Sequence, residues 1–280
     1  MIKLDKVSKK FGTGVFGLSE ISFSVEKGEF VFLVGPTGAG KTTVFKLLIK
    51  EVDPTEGEIT LGEWDLTKLP KSKVPLLRKK VGVVFQDLKL LLDRTVSENI
   101  LLPLDVMGLK HEEAKRKAEE ILSQVGILEH KDKFPVQLSG GELQRAAIAR
   151  ALVLEPEVLL ADEPTGNLDS ATSWDIVKLL SDINEKGTTI IMATHNTDII
   201  KSLKKRVIKL EKGVMVKEEK DEKEEKADKH VREEKEDAKG EGKTENILAH
   251  GEGGSEAEES KKEKDPEKKE TKDEKEEKTE

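Results

Sequence analysis

Residues 30–42 constrain this chain more than any other stretch. Phe30-Val31-Phe32-Leu33-Val34 is a continuous apolar run rich in β-formers, and it ends at Gly35. Such a run suits a strand buried on both faces. Gly35-Pro36-Thr37-Gly38-Ala39-Gly40-Lys41-Thr42 then follows the spacing G-x-x-x-x-G-K-[ST], with Thr43 next and a helical stretch predicted from Lys41 to Lys50. The glycines let successive backbone N–H groups turn inward around phosphate oxygens, and the helix N-terminus adds a favourable partial charge. Lys41 is expected to reach the β- and γ-phosphates of a nucleotide, and Thr42 to offer its hydroxyl to Mg²⁺. A plain strand–turn–helix junction has no need of eight residues in this pattern.

The segments that follow alternate in type. Val83-Val84-Phe85, Val158-Leu159-Leu160-Ala161 and Thr189-Ile190-Ile191-Met192-Ala193 repeat the buried-strand pattern. Between them lie helical stretches. Glu112 to Val125 carries Ala114, Ala118, Ile121, Leu122 and Val125 along one stripe, and Gly126 can end it. Buried strands separated by helices predict an α/β domain with a parallel sheet. Residues 1–34 differ: Ile2 and Leu4, then Ile21, Phe23 and Val25, alternate with polar neighbours, as half-exposed antiparallel strands do. Residues 87–150 are mostly helical and are read as a subdomain inserted into the sheet domain.

Charge divides the chain. The net charge is −8 over 280 residues, but residues 217–280 hold 17 Lys/Arg and 26 Asp/Glu, leaving residues 1–216 with 32 basic and 31 acidic residues. All eight Phe and both Trp lie in that first part. A segment as polar as 217–280 cannot bury enough apolar surface to offset its ordering entropy, so a disordered tail is expected after a body of residues 1–216. Within it, acids four residues before bases over 217–239 favour a transient helix, stopped by Gly240 and Gly242. A near-neutral body with an acidic tail lacks the basic footprint of a nucleic-acid binder. The absence of cysteine excludes disulfides, thiolate metal sites and a Cys nucleophile. No apolar run reaches the ~18 residues of a membrane helix.

Two further motifs carry chemistry. Val158-Leu159-Leu160-Ala161-Asp162-Glu163 sets two carboxylates at the C-terminal end of a buried strand, the edge where open α/β sheets bind ligands. Asp162 is expected to hold Mg²⁺, and Glu163 to orient and polarise an attacking water. Leu138-Ser139-Gly140-Gly141-Glu142 combines a capping box, Ser139 with Glu142, and two glycines that leave a helix N-terminus open as a second phosphate cradle. One domain has a single use for its own phosphate loop. The second cradle makes most sense for a nucleotide held by another subunit.

Phosphate loop, LSGGE and LLADE, in this order and spacing, resemble the nucleotide-binding subunits of ABC transporters over residues 1 to about 216. The resemblance implies a P-loop NTPase fold with an N-terminal antiparallel subdomain and an inserted helical one. It also implies an ATPase in which two copies close head to tail around two ATP and two Mg²⁺. Ser139, Gly141 and Glu142 of one copy then face Lys41 of the other. It places Phe11 where the family stacks an aromatic ring on adenine, Gln86 near Mg²⁺ and the membrane partner, Asp169 at the dimer interface and His195 against the γ-phosphate.

Val74-Pro75-Leu76-Leu77-Arg78, Phe85-Gln86-Asp87, Asp93-Arg94-Thr95-Val96 and Phe134-Pro135-Val136-Gln137 further resemble the FtsE family, the ATPases of a bacterial cell-division complex. That resemblance implies an integral membrane partner of the FtsX type, other division proteins around it, control of cell-wall hydrolysis at the septum, and a place on the cytoplasmic face of the cell membrane. The alternative is a transporter ATPase of the LolD or MacB type, for lipoprotein release or efflux. Leu88, Leu90, Leu91 and Leu92 follow Gln86 in a loop-like region and are read as a docking surface, with two of the four expected to pack inward instead.

Overall fold

Phe30 to Val34 forms a strand, β3, whose alternate side chains enter two different cores. Phe30 and Phe32 face one core; Val31 and Leu33 face the other. A strand with both faces covered has no polar side to show, which is why this stretch reads as an unbroken apolar run. The structure is a computed structural model and describes residues 1–12, 14 and 16–219.

Around β3 runs a six-stranded sheet. Its other members are β6 (Val81–Val84), β7 (Val158–Asp162), β8 (Thr189–Thr194), β9 (Arg206–Glu211) and β10 (Val214–Glu219), in the order β10-β9-β3-β8-β7-β6. β9, β3, β8, β7 and β6 pair in parallel, and β10 closes one edge antiparallel to β9. A second sheet, antiparallel, has the order β2-β1-β4-β5, built from β1 (Ile2–Lys10), β2 (Phe16–Val25), β4 (Glu56–Leu61) and β5 (Trp64–Asp65). Ile2, Leu4, Ile21, Phe23 and Val25 are buried, so the alternation seen in residues 1–34 marks the inner face of this sheet.

Helix α1 (Lys41–Leu48) follows β3, and α2 (Val74–Lys80) leads into β6. Between β6 and β7 lie α3 (Val96–Val106), α4 (His111–Gln124) and α5 (Gly140–Leu152), which supply much of the core against Phe30 and Phe32. Ala114, Ala118 and Leu122 of α4 are fully buried, as their stripe predicts, while Ile121 sits at its margin. Helices α6 (Ser170–Glu185) and α7 (Thr197–Leu203) connect β7 to β8 and β8 to β9.

The structure moves some boundaries. Phe85 lies just outside β6, and the helices predicted over 41–50 and 112–125 run 41–48 and 111–124. The division expected at residue 217 falls inside a strand. Lys217, Glu218 and Glu219 belong to β10 and pair with Lys209, Ile208 and Val207. These three residues are therefore extended, not the start of a helix. Strand pairing with β9 decides their conformation over the local acid–base spacing, since a helix there would bury nothing. The remainder of the expected helix and of the tail, residues 220–280, lies outside the described residues.

Candidate functional site

The parallel strands β3, β7 and β8 end at one edge of the sheet, and each delivers reactive groups there. From β3 comes the loop Gly35–Gly40 and Lys41 at the start of α1; from β7, Asp162 and Glu163; from β8, His195. Residues 37–43, Asp162, Glu163 and His195, together with Phe11, Phe16, Gly17, Gln86, Gly166 and Asn167, line a cleft of about 360 Å³. This edge is where open parallel sheets bind ligands.

Lys41 is buried, and its Nζ donates to the carbonyl oxygens of Gly35, 2.7 Å, and Pro36, 3.3 Å. Its side chain thus lies along the loop that begins it. Glu163 Oε1 stands 3.6 Å from the same ammonium, and Glu163 Oε2 lies 2.9 Å from His195 Nδ1. Glu163 is therefore the hub of the site, with its side chain only 10% exposed. Its backbone adopts φ 48°, the left-handed region, a cost of about 1–2 kcal/mol for a residue with a side chain. The Glu163 N–H donates to the Ala193 carbonyl across the strand ends at 2.9 Å, which helps hold that conformation.

Thr42 donates its hydroxyl to Asp162 Oδ2 at 2.9 Å. Asp162 is buried, and burial pushes its carboxyl above the usual carboxylate range, against the opposing pull of the Thr42 hydrogen bond. A hydroxyl and a carboxylate brought together are hard oxygen donors, the kind Mg²⁺ selects. Among the described residues no three His, Cys, Asp or Glu side chains are placed to hold a metal ion between them, so these residues form no all-protein cage for a cation. Two protein oxygens beside a phosphate loop are what a magnesium–nucleotide complex requires.

At the mouth of the cleft stand two phenylalanines. Phe11 is 38% exposed, and a Cβ on Gly17 would lie 2.6 Å from its Cε2 atom. The ring thus rests on the backbone of β2 at the one residue that leaves room for it. Phe16 is 55% exposed and lines the same cleft. Sequence reasoning singled out Phe11 and passed over Phe16 and Gly17, which belong to no motif that spacing reveals; Gly166 and Asn167 open the segment that ends at Asp169, but were not named as lining the cleft.

The other predicted residues form a separate group. Ser139 N-caps α5, its Oγ accepting from the Glu142 N–H at 3.4 Å while Glu142 Oε2 accepts from the Ser139 N–H at 2.7 Å. The latter bond holds the Glu142 carboxyl below its ordinary range. His130 Nε2, 2.9 Å from Glu142 Oε1, occupies its second oxygen. Gly141 packs on α6: a Cβ there would lie 2.6 Å from Thr172 Cγ2. Asp169 caps α6, accepting from the Thr172 N–H at 3.0 Å and from its hydroxyl at 2.5 Å, bonds that lower its pKa. None of Ser139, Gly141, Glu142 and Asp169 lines the cleft. On one chain the cleft and the N-terminus of α5, capped by Ser139, are thus separate.

Of the four leucines after Gln86, Leu88 and Leu90 pack against the core, while Leu91 and Leu92 are 40% and 65% exposed. Two of the four therefore face solvent, and Leu90 belongs to the packing.

Residues 18–166 match the ABC transporter family. The chain is 47% identical to the cell division ATP-binding protein FtsE of Bacillus subtilis over 78% of its own length and 96% of that protein. It is 49% identical to FtsE of Streptococcus pneumoniae, over 78% and 95%. Its fold matches an ATP-binding cassette solved as a dimer in a post-hydrolysis state bound to ADP and Pi. The TM-score is 0.72 at 35% identity, covering 79% of this chain and 98% of that one.

Proposed function

Because the chain belongs to the ABC transporter family, and within it to the FtsE proteins, we propose that it is the ATP-hydrolysing subunit of a cell-division complex. It works as a pair of copies and drives a membrane-embedded partner of the FtsX type. The observation that supports this most is the convergence of Lys41, Thr42, Asp162, Glu163 and His195 on one cleft. The lipoprotein-release and efflux alternative is not favoured, since these relatives are cell-division proteins.

The groups divide the work as follows. Backbone N–H groups of residues 37–43 and the start of α1 bind the phosphates. Lys41 has two anionic claimants, Glu163 and the γ-phosphate, and its transfer to the phosphate leaves Glu163 available to the attacking water. Glu163 then accepts that water's proton, and His195 steadies the carboxylate and the γ-phosphate beside it. Thr42, Asp162 and Gln86 would hold the magnesium ion, which when bound neutralises the charge gathering on the phosphates. Phe11 stacks on the adenine ring. Ser139, Gly141 and Glu142 close on the nucleotide of a second copy, with Asp169 at the shared interface; isologous pairing uses each patch twice.

Glu163→Gln tests the core of this reading. It keeps the shape and removes the base, so turnover should vanish while ATP traps a dimer visible by size-exclusion chromatography. Substantial residual hydrolysis would contradict the role given to Glu163.

No helix among the described residues is long and apolar enough to cross a membrane, so recruitment to the cytoplasmic face of the cell membrane passes through the partner. Leu91 and Leu92 offer an apolar contact next to Gln86 for an amphipathic helix of that partner. Leu92→Asp should release the protein from membranes and leave basal hydrolysis intact. Unchanged recruitment would remove the docking role.

A further inference from the structure

Helix α5 begins at the LSGGE segment and ends on the loop that carries Gln86. Ser139 caps its first turn, and Arg150 stands in its last turn, about 16 Å further along the axis. The Arg150 guanidinium donates Nη1 to the Lys89 carbonyl at 2.6 Å and Nη2 to the Leu88 carbonyl at 2.7 Å. These two residues are consecutive, carry side chains, and both adopt left-handed backbone, φ 58° and 54°. Non-glycine residues persist in that region only where surrounding contacts hold them. Beside the turn bonds from the Leu88 N–H to the Phe85 carbonyl and from the Lys89 N–H to the Asp87 carbonyl, the long-range holding contact is a planar fork that meets two carbonyls at once, which a lysine ammonium cannot reproduce.

The far side of the loop is fixed as well. Asn99 of α3 is fully buried, accepts from the Leu91 N–H at 2.7 Å, and donates to the carbonyls of Leu91, Arg94 and Thr95 at 3.0, 3.3 and 2.9 Å. The backbone from Leu88 to Leu91 is thus held from α5 and from α3, with Gln86 in the cleft before it and Leu92 exposed after it.

We propose that Arg150 is a positioning residue for ATP hydrolysis. By clamping Leu88 and Lys89 it sets the reach of Gln86 into the cleft and ties that reach to the placement of the LSGGE segment through α5. A signature segment displaced by a second copy moves the clamp, and with it Gln86. This rests on the ATPase reading above, whose own failure shows separately as hydrolysis surviving Glu163→Gln.

The test is a double-mutant cycle with a control and a rescue. Arg150→Lys should lower kcat about tenfold per folded protein, with little change in KM for Mg–ATP. In a Gln86→Ala background the same substitution should cost less than twofold, because its effect runs through Gln86. Arg145→Lys is the control, since Arg145 on the same helix donates to the Val125 carbonyl at 2.8 Å, away from this loop. It should leave kcat within twofold. Lys89→Gly, which tolerates left-handed backbone without a clamp, should restore at least threefold in the Arg150→Lys protein. Where Arg150→Lys does not fold, Arg150→Gln removes the half-buried charge, keeps an amide donor, and is read in the same cycle. Additive losses with Gln86→Ala, or a loss no greater than that of Arg145→Lys, would overturn the proposal.

Discussion

Asp162 shows what the site costs the fold. Burial raises its carboxyl pKa, so folding favours the protonated form over the charged one. A carboxylate with a raised folded pKa binds more protons in the native state than in the unfolded state. Stability is then greatest below the unfolded value and falls as pH rises through the folded one. Asp162→Asn removes that penalty and can still accept the Thr42 hydroxyl. It should raise the thermal midpoint at pH 7, with the gain fading towards pH 4, while hydrolysis is lost. Calorimetry across pH checks this; equal midpoints for both proteins at neutral pH would show that the carboxylate carries no burial penalty. Phe11 is a second case. Gly17→Ala places a methyl where the Phe11 ring lies. It should raise KM for ATP as Phe11→Ala does, by about fivefold for about 1 kcal/mol of lost stacking. It should add nothing when Phe11 is already Ala. Motif spacing made Lys41, Asp162 and Glu163 legible because each is fixed by its neighbours in sequence. Gly17 and Phe16 were not, because they matter only through a ring and a cleft assembled from distant segments.

At the scale of elements, two helices of the inserted region begin in the same way. Thr95 caps α3 and Ser139 caps α5, each in a reciprocal capping box with the glutamate three residues on, Glu98 and Glu142. The shared geometry separates a cap's structural worth from any chemistry added to it. Thr95→Ala and Ser139→Ala should each destabilise by about 1 kcal/mol in urea titrations. Only Ser139→Ala should lower ATPase beyond that, because its helix N-terminus is proposed to receive a second copy's phosphate. Equal ATPase in both variants would leave Ser139 as a cap alone. The capping box over 139–142 was readable in the sequence, and so was its suitability for phosphate. That Gly141 packs on Thr172, beside the α6 cap made by Asp169, was not readable. A glycine's close approach depends on a partner some thirty residues away. The clamp made by Arg150 lies further out of view, since its carbonyl partners are 61 and 62 positions distant.

For the whole molecule, charge counting placed the end of the body three residues short of the end of β10. β10 is an edge strand, and Lys217, Glu218 and Glu219 are exposed and charged, as edge strands that resist pairing with other chains tend to be. Composition therefore grouped them with the acidic residues that follow. The buried strands had no such ambiguity, because only an apolar run can be covered on both faces. What ties β10 to the body is Arg206, 8% exposed, which donates to Glu29 Oε1 at 2.7 Å, to the Ser24 carbonyl at 2.8 Å and to Glu218 Oε1 from Nε at 2.9 Å. Four segments, β2, the turn before β3, β9 and β10, meet at this one guanidinium. A chain ending at residue 216 loses Glu218 and three paired residues of β10, and leaves Arg206 with a single carboxylate. It should be less stable than the full chain by about 2 kcal/mol, since the buried Arg206 loses one charged acceptor and three strand residues lose their pairing. A chain ending at residue 219 keeps β10 whole and should match the full chain in both melting and ATPase. Glu218→Gln in the full chain should reproduce part of the first loss, about 1–2 kcal/mol, without touching the strand backbone. Should the 216- and 219-residue chains melt alike, Arg206 would not be the fastening of this edge, and the body would end where the charge count first put it.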